Sequence, residues 1–583
     1  MNRIIETQMN QFCDNFQISR NKDIAVRFEH FVNYCVFLNA CPSAYDTTRD
    51  AYLEVHTGSG GDSGIDGVLI LINDTPVFSC EEVKNLIENK KHKSLEVEFI
   101  FTQAKTSSCF DSGEMLKTRE GVLKFFSSEK MKEGKLDKFK EIQELIYSHS
   151  ICFHENPKCY IYYVTTGKWE KDPNLSALVE DAKKALLNTD LFSNADFIPV
   201  DNNSLQKLFK NLSTTITKQI NFEKKQSFPQ IKGTSQSFIG LVEGKDFVEL
   251  ISIDGRLNKT VFYENVRAFL GENSVNKEIS KTLEDEDNKE RFSILNNGVT
   301  IVARELNLVG DKLTLHDFQI VNGCQTSYVL YSHRGKLDGV MVPVKIIASE
   351  DQEVINMIIR STNRQTVVTA EAFESIKEIQ KGIQDYYNTF SSPDRLYYER
   401  RTREYDRINA TNINRNQVFT IPMQVMSHAD MFLNKPHEAI NQYYGELLKD
   451  NAKVLFQKDD LPIVYYTSAR TLFKVEQWIK RLTNKALRTK IKEFRIPLIL
   501  IIRILIQGSS RNLPPMNSHK MESLCNKILQ EIENQGKFEN LMSKAIDVLL
   551  ECAAKAIDQE EKVDQRKLTE KILNYFYVEG DFD

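Results

Sequence analysis

The sequence predicts three parts. Residues 1–225 read as an α/β domain with a mixed central sheet flanked by helices, 238–410 as an α+β domain, and 411–583 as a mainly α-helical region. A polar linker at 226–237 joins the first two. Three observations lead there. Strand-like and helix-like apolar patterns alternate through the first part, which is the signature of helices packed on a sheet. Further strand patterns sit among helices and polar strings in the second. Apolar residues three and four apart dominate the third.

The elements follow in order. Ile24, Phe28, Phe31, Val32 and Cys35 recur at helical spacing and predict an early amphipathic helix. Strands are expected at 51–56, 68–72, 97–103, 158–165 and 197–200, with helices at 133–147, 175–187 and 204–212. The segment 223–237, with Pro229 and Gly233, reads as a connection. Strands are expected next at 247–253, 299–303, 312–315 and 341–347. Near the end, Met521, Leu524, Ile528 and Ile532 share one helical face, as do Leu568, Ile572 and Phe576. Such stripes fit a packed helical core first, with a partner or dimer surface as the other reading.

Composition narrows the class. The 583 residues are 41% hydrophobic and 27% charged, with 24 glycines and 14 prolines, which is globular composition. The net charge of −5 excludes a generally basic nucleic-acid coat, so contact with nucleic acid has to come from local patches. No stretch approaches the ~18 apolar residues of a membrane span. The most apolar run, 496–506, is broken by Pro497 and Arg503. The N-terminal residues lack the apolar core of a signal peptide. Ten cysteines without a CxxC pair suggest neither a disulfide framework nor a cysteine zinc site. A soluble, cytoplasmic protein is expected.

The chemistry concentrates in GSGGDSGIDGVLILI (58–72) and EVEFIFTQAKTS (96–107). Glycine-rich turns lead to Asp66, directly before an apolar strand. After an insertion at 80–93, a second apolar strand ends in Gln103, Ala104 and Lys105. Residues i and i+2 of a strand face one side, so Gln103 and Lys105 project together. If the two strands pair, Asp66 joins them. A carboxylate, an amide oxygen and an ammonium then converge, which suits phosphodiester hydrolysis. Asp66 and Gln103 offer oxygen ligands to Mg²⁺ or Mn²⁺, as does the Ala104 carbonyl. Lys105 can orient a water or stabilise developing negative charge. The simpler alternative is a glycine turn followed by solvent-facing strand-end residues.

This constellation resembles the PD-(D/E)xK nuclease superfamily, in particular its Mrr-like restriction-endonuclease branch, in which QxK often replaces ExK. The matching positions are Asp66, Gln103 and Lys105. The resemblance implies a restriction-endonuclease-like fold, a divalent metal and an added glutamate from the first helix. Glu29 is the candidate for that metal-binding role, with Glu54 and Asp62 as competitors. Gln103 removes a negative charge from the metal site, so a degenerate, non-cleaving version is the alternative.

Between Glu114 and Lys140, eight Lys/Arg face five Asp/Glu, and Lys117, Arg119 and Lys124 are candidate phosphate contacts. A second patch, 394–407, interleaves Arg395, Arg400, Arg401 and Arg403 with tyrosines. The alternative for each is a solvated or ion-paired helix face.

The middle part carries NVRAFLGENSVNKEI, FSILNNGVTIVA, QIVNGCQTSYVL and STNRQTVV. Arg267, Asn296, Asn297, Asn322, Gln325, Asn363 and Gln365 either line a groove for a ligand or nucleic acid, or stitch loops together through their amides. Cys324 would need a basic partner such as His316 to act as a nucleophile. Together these strings, over roughly 240–420, resemble the abortive infection phage resistance (AIPR) family. The resemblance implies a bacterial antiphage effector, with the nuclease held in check by the middle and C-terminal parts. Nucleic acid (DNA before RNA), a second copy of the chain and a phage-derived or protein trigger are the expected partners, with no membrane. A non-catalytic sensor or scaffold, or an enzyme selecting modified DNA, are the other readings.

Overall fold

A computed structural model describes residues 2–577 apart from 47–49, 59–63, 89–94, 129–133, 171, 214–215, 254, 263–273, 363–377, 392–394, 401–403, 408–412, 442–443, 509–511 and 559–563. The chain divides into two compact units, Met1–Ala372 with Tyr405–Asn412, and Phe373–Glu404 with Ile413–Asp583.

The first unit opens with helices α1 (Arg3–Asn15), α2 (Ile24–Ala40) and α3 (Ala51–Glu54). A five-stranded sheet follows: β1 (Gly67–Ile72), β2 (Thr75–Val77), β3 (Val97–Lys105), β4 (Lys158–Thr165) and β5 (Asn194–Val200), in spatial order β2-β1-β3-β4-β5. β1 runs antiparallel to both neighbours, and β3, β4 and β5 are parallel. Helices α4 (Cys80–Glu88), α5 (Ser112–Phe126), α6 (Lys135–Ser148), α7 (Pro173–Leu187) and α8 (Asn202–Ser213) complete it. The period-2 alternation of the strands sorts their side chains into two cores. Leu69, Leu71, Ile100, Val164 and Ile198 pack with α1, α2 and α8, while Val68, Ile70, Phe99, Phe101 and Ile161 pack with α5, α6 and α7. Both faces are covered, which is why GVLILI of β1 is buried throughout.

Segment 51–56, expected as a strand, is instead the short α3. Ala51, Tyr52 and Val55 drop into the core of α1 and α2, and this packing overrides the alternating pattern.

A second sheet is built from β6 (Thr217–Asn221), β7 (Lys224–Ser227), β8 (Gln236–Glu243), β11 (Val299–Val309), β12 (Lys312–Asn322) and β13 (Met341–Ala348), in order β6-β12-β11-β13-β8-β7. The small hairpin β9 (Ser252–Ile253) and β10 (Arg256–Leu257) stands apart from it. The polar segment expected as a linker therefore contributes β7 and the start of β8, and the sheet also takes β6. KKQS of β7 is an edge strand facing water on most of its length, so no apolar alternation marks it. The expected strand 247–253 is mostly helix α9 (Gly244–Leu250), followed by β9. Its apolar run meets the core on one helical face through Phe247, Val248 and Leu250. Helices α10 (Ser274–Glu284), α11 (Glu286–Lys289), α12 (Phe292–Leu295), α13 (Cys324–Ser332) and α14 (Gln352–Thr362) also belong to this part.

The NNG and NGC strings meet where β11 begins and β12 ends. Gly298 and Gly323 both have positive φ, 76° and 93°. A Cβ on Gly323 would stand 2.8 Å from Val299 Cγ2 and 3.0 Å from the Gly298 carbonyl. Only glycine fits there without strain. A partly buried lysine joins this part to the first sheet. Lys259 Nζ lies 2.7 Å from Asp74 Oδ1, in the β1–β2 turn, and 3.4 Å from Glu98 Oε2, near the start of β3.

The second unit is mainly helical. Its short parallel pair, β14 (Tyr397–Glu399) and β15 (Val418–Thr420), precedes the helices Ile421–Leu433, Pro462–Arg481, Arg495–Gln507, His519–Glu533, Gln535–Asp558 and Gln565–Phe576. The most apolar segment is the helix Arg495–Gln507, buried nearly all round. Among the described residues no helix is long and apolar enough to cross a membrane. Arg503 inside it donates to the Met431 carbonyl at 3.0 Å and to Gln507 Oε1 at 2.6 Å. The stripes of Met521, Ile528 and Ile532 and of Leu568 and Ile572 face this core.

Two titratable groups are buried in the helix Ile421–Leu433. Burial pushes the His428 pKa down to about 3, and pushes that of Asp430 well up despite the opposing charge of Arg503. His428 is neutral in the folded unit and protonates on unfolding below its ordinary 6.5. Its contribution therefore declines as pH falls from ~6.5 toward 3, whereas Asp430 acts in the opposite sense. In denaturant titrations across this range, His428→Phe should gain on the wild type as pH falls, by up to about 1.4 kcal/mol per pH unit. A difference that does not vary with pH would contradict the assignment.

Candidate active site

The site is assembled at the end of the antiparallel pair β1–β3. The register Gly67↔Thr102 brings Asp66 level with the end of β3, and the Asp66 N–H donates to the Thr102 carbonyl at 2.8 Å. Asp66 Oδ2 accepts from Gln103 Nε2 at 2.7 Å and from the Ala104 N–H at 2.8 Å. Both side chains are 3% exposed. Asp66 and Gln103 thus touch through the Gln103 amide nitrogen, not through the amide oxygen expected as a ligand.

Lys105 stands two residues on, on the Gln103 face of the strand. Ala104 turns the other way, into the core with α1, α2 and α8. Lys105 Nζ is paired with Glu114 Oε2 at 2.8 Å, in the first turn of α5. That hydrogen bond, outweighing partial burial, holds the Glu114 pKa below the ordinary 4.5. Glu114 entered the sequence reading only as the boundary of a basic run. A carboxylate in a first helical turn reads as a helix-dipole residue, and nothing local links it to a strand that ends nine residues earlier.

Glu29, on α2, is held by His56: its Oε2 lies 2.7 Å from His56 Nε2. One helical turn along the same face, Asn33 does what the sequence did not announce. Its Nδ2 donates to the Asp66 carbonyl at 3.2 Å, and its Oδ1 accepts from the Thr102 hydroxyl. An Asn among the apolar residues Phe31, Val32, Tyr34 and Cys35 is its only sequence signal. Of the competitors to Glu29, Glu54 pairs with Lys138 at 3.5 Å, and Asp62 lies outside the described residues.

The donor set can be tested against a divalent cation. Among the described residues, no three His, Cys, Asp or Glu side chains group as metal ligands. Gln103 Oε1, however, is buried without a hydrogen-bond partner. It stands 3.4 Å from where a Cβ on Gly64 would be, and Gly64 has φ +78°. An orphaned amide oxygen beside a carboxylate, at the foot of a glycine turn, fits Mg²⁺ or Mn²⁺, which keep several waters and need only one or two carboxylates.

The candidate nucleic-acid contacts divide. Lys117 and Lys124, seven residues apart on α5, are exposed on one face that runs on from Glu114, while Arg119 pairs with Glu120. Arg395 donates to the Phe390 carbonyl at 3.2 Å and lies over the Tyr397 ring, and Arg400 Nε donates to Gln384 Oε1 at 2.8 Å. Both are engaged inside the second unit. Arg401 and Arg403 lie outside the described residues, as do Arg267, Asn363 and Gln365.

The remaining amides of the middle part hold backbone and side chains together. Asn296 Nδ2 donates to the Phe292 carbonyl, Asn322 Nδ2 to the Thr362 carbonyl, and Asn276 Nδ2 to Gln325 Oε1 at 2.6 Å. Asn297 is exposed. Cys324 is buried at the start of α13, and His316 meets Thr217 Oγ1 at 3.1 Å.

The sequence model of one family, described as AIPR protein, matches residues 262–557, more than half of the chain. The chain belongs to the AIPR family. Membership supports a role in abortive infection, that is, antiphage defence. The AIPR match starts after Lys259 and runs well past the 240–420 stretch that carries the strings, into the helical unit. No curated protein and no solved structure matches the chain.

Asn33 generates the test of this geometry. Asn33→Ala removes the amide that braces the Asp66 carbonyl and the Thr102 hydroxyl, leaving buried polar groups unpaired. It should cost about 1–3 kcal/mol in denaturant unfolding. An unchanged midpoint would place Asn33 outside the support of the site.

Proposed function

We propose that this AIPR protein is a bacterial antiphage effector whose N-terminal α/β part is a metal-dependent nuclease acting on DNA, with RNA as the other substrate class. The middle and C-terminal parts restrain it until a partner, a phage component or a change in oligomeric state releases it. The observation that carries this reading is the Asp66–Gln103 hydrogen bond at the end of paired strands, with Lys105 on the same strand face.

Asp66 and the Gln103 amide oxygen would hold Mg²⁺ or Mn²⁺. Such an ion, when bound, polarises the phosphate and lowers the pKa of a water. The chain's own residues do the rest. β3 keeps Gln103 and Lys105 at a fixed two-residue spacing. Asn33 fixes the Asp66 backbone, and the Ala104 N–H fixes one carboxylate oxygen. Lys105 presents its ammonium to a phosphate oxygen or to the attacking water. Lys117 and Lys124 extend positive charge along α5 for neighbouring phosphates.

One observation favours a second reading, a non-catalytic binding scaffold. Gln103 is neutral, and Lys105 is already ion-paired. The experiment that decides is digestion of plasmid, modified phage DNA, single-stranded DNA and total RNA with Mg²⁺ or Mn²⁺. The wild type should cut at least one of these, and Asp66→Ala and Lys105→Ala should abolish cutting, Lys105→Ala while unfolding at the wild-type temperature and Asp66→Ala, which leaves the Gln103 and Ala104 donors unpaired, while still folded at the assay temperature. Cleavage retained in both variants would remove the site. Absent Mn²⁺ binding, with phage protection intact in Asp66→Ala, would establish the scaffold.

A further inference from the structure

Position 103 leaves the strand-end motif one negative charge short, and Lys105 meets a carboxylate from another element. Lys105 Nζ and Glu114 Oε2 are 2.8 Å apart, with side chains 32% and 40% exposed. Glu114 is held where it is by helix geometry. Asp111 caps α5 by accepting from the Glu114 N–H at 2.8 Å, which fixes the first turn of the helix. One turn later, Thr118 is buried, and a Cβ on Gly64 would stand 3.3 Å from its Oγ1 and 3.4 Å from Gln103 Oε1. Thr118 of α5 and the orphaned amide oxygen thus both border Gly64. Across Asp66, Lys105 and Glu114 the formal charge is −1, the value that a strand-borne carboxylate at 103 would give together with Asp66 and Lys105.

We propose that Glu114 is a positioning residue of this site, holding the Lys105 ammonium on the Gln103 face of β3 and supplying from α5 the negative charge that position 103 lacks. The proposal rests on the nuclease reading and adds a residue to it. A partly exposed ion pair contributes little to folding. Substituting Glu114 should accordingly leave stability alone and show itself in turnover. Nearby charge does not do the same work: Asp111 is committed to the cap, and Lys117 has the opposite sign.

The test uses the full chain with Mn²⁺ and whichever nucleic acid the wild type cuts. Glu114→Gln should lower kcat by about 10–100-fold, with KM little changed and the melting temperature kept. Glu114→Asp should recover part of the loss. The double variant Gln103→Glu/Glu114→Gln, which moves the charge onto the strand, should recover more. Electron paramagnetic resonance of added Mn²⁺ gives a readout free of turnover: the double variant should bind the ion at least as tightly as the wild type. Wild-type turnover in Glu114→Gln would overturn the proposal, as would a loss matched by a fall in melting temperature. A wild type that neither binds Mn²⁺ nor cuts would instead defeat the nuclease reading itself, and the two failures are distinct.

Discussion

The candidate site depends on one constraint, the antiparallel register of β1 against β3. It brings an aspartate that precedes one strand to the end of the other, where Asp66 Oδ2 accepts from both the Gln103 side chain and the Ala104 backbone. A slip of one residue would turn Gln103 and Lys105 to the opposite face and send Ala104 outward. The slip is resisted because both faces of these strands are buried, so every apolar side chain of GVLILI and of VEFIF is already committed to one of two cores. Apolar packing sets the register, and the register sets the polar geometry. Asn33, reaching across from α2, ties the same junction from the other layer.

The middle part is joined to that strand at its far end. Lys259 grips Asp74 and Glu98, and Glu98 stands at the start of the strand whose other end carries Gln103 and Lys105. Lys259 of the middle part and the candidate site thus stand at opposite ends of one strand, β3. The strings that mark the AIPR resemblance have a different task. Gly298 and Gly323 pack backbone against backbone where β11 starts and β12 ends, and Asn296, Asn322 and Gln325 bond within the fold. They are recognisable because the construction is exacting. No chemistry has to be assigned to them to explain why those residues stand there.

Much of this was legible in the sequence because it rested on local physics. The runs that became β1, β3, β4 and β5 announce themselves by apolar content, and α2 by its helical spacing. Asp66, Gln103 and Lys105 were readable as a set because a strand has period 2 and because a glycine turn precedes the aspartate. What escaped depended on other elements. Residues 51–54 turn helical because α1 and α2 offer them a core. β7 has no apolar face to betray it, being an edge in water. Glu114 and Asn33 are positioned by helices whose placement follows only from the assembled sheet. Glu29 was picked for its place on α2, but its partner, His56, comes from the turn after α3.

In the proposed function, Asp66 and Gln103 form the floor of a divalent-cation site. Anomalous diffraction from crystals of the full chain soaked in Mn²⁺ tests it directly. The account predicts a peak at about 2.0–2.3 Å from an Asp66 carboxylate oxygen and from Gln103 Oε1. Well-ordered crystals with no peak at that junction, or with Mn²⁺ held only elsewhere, would contradict it.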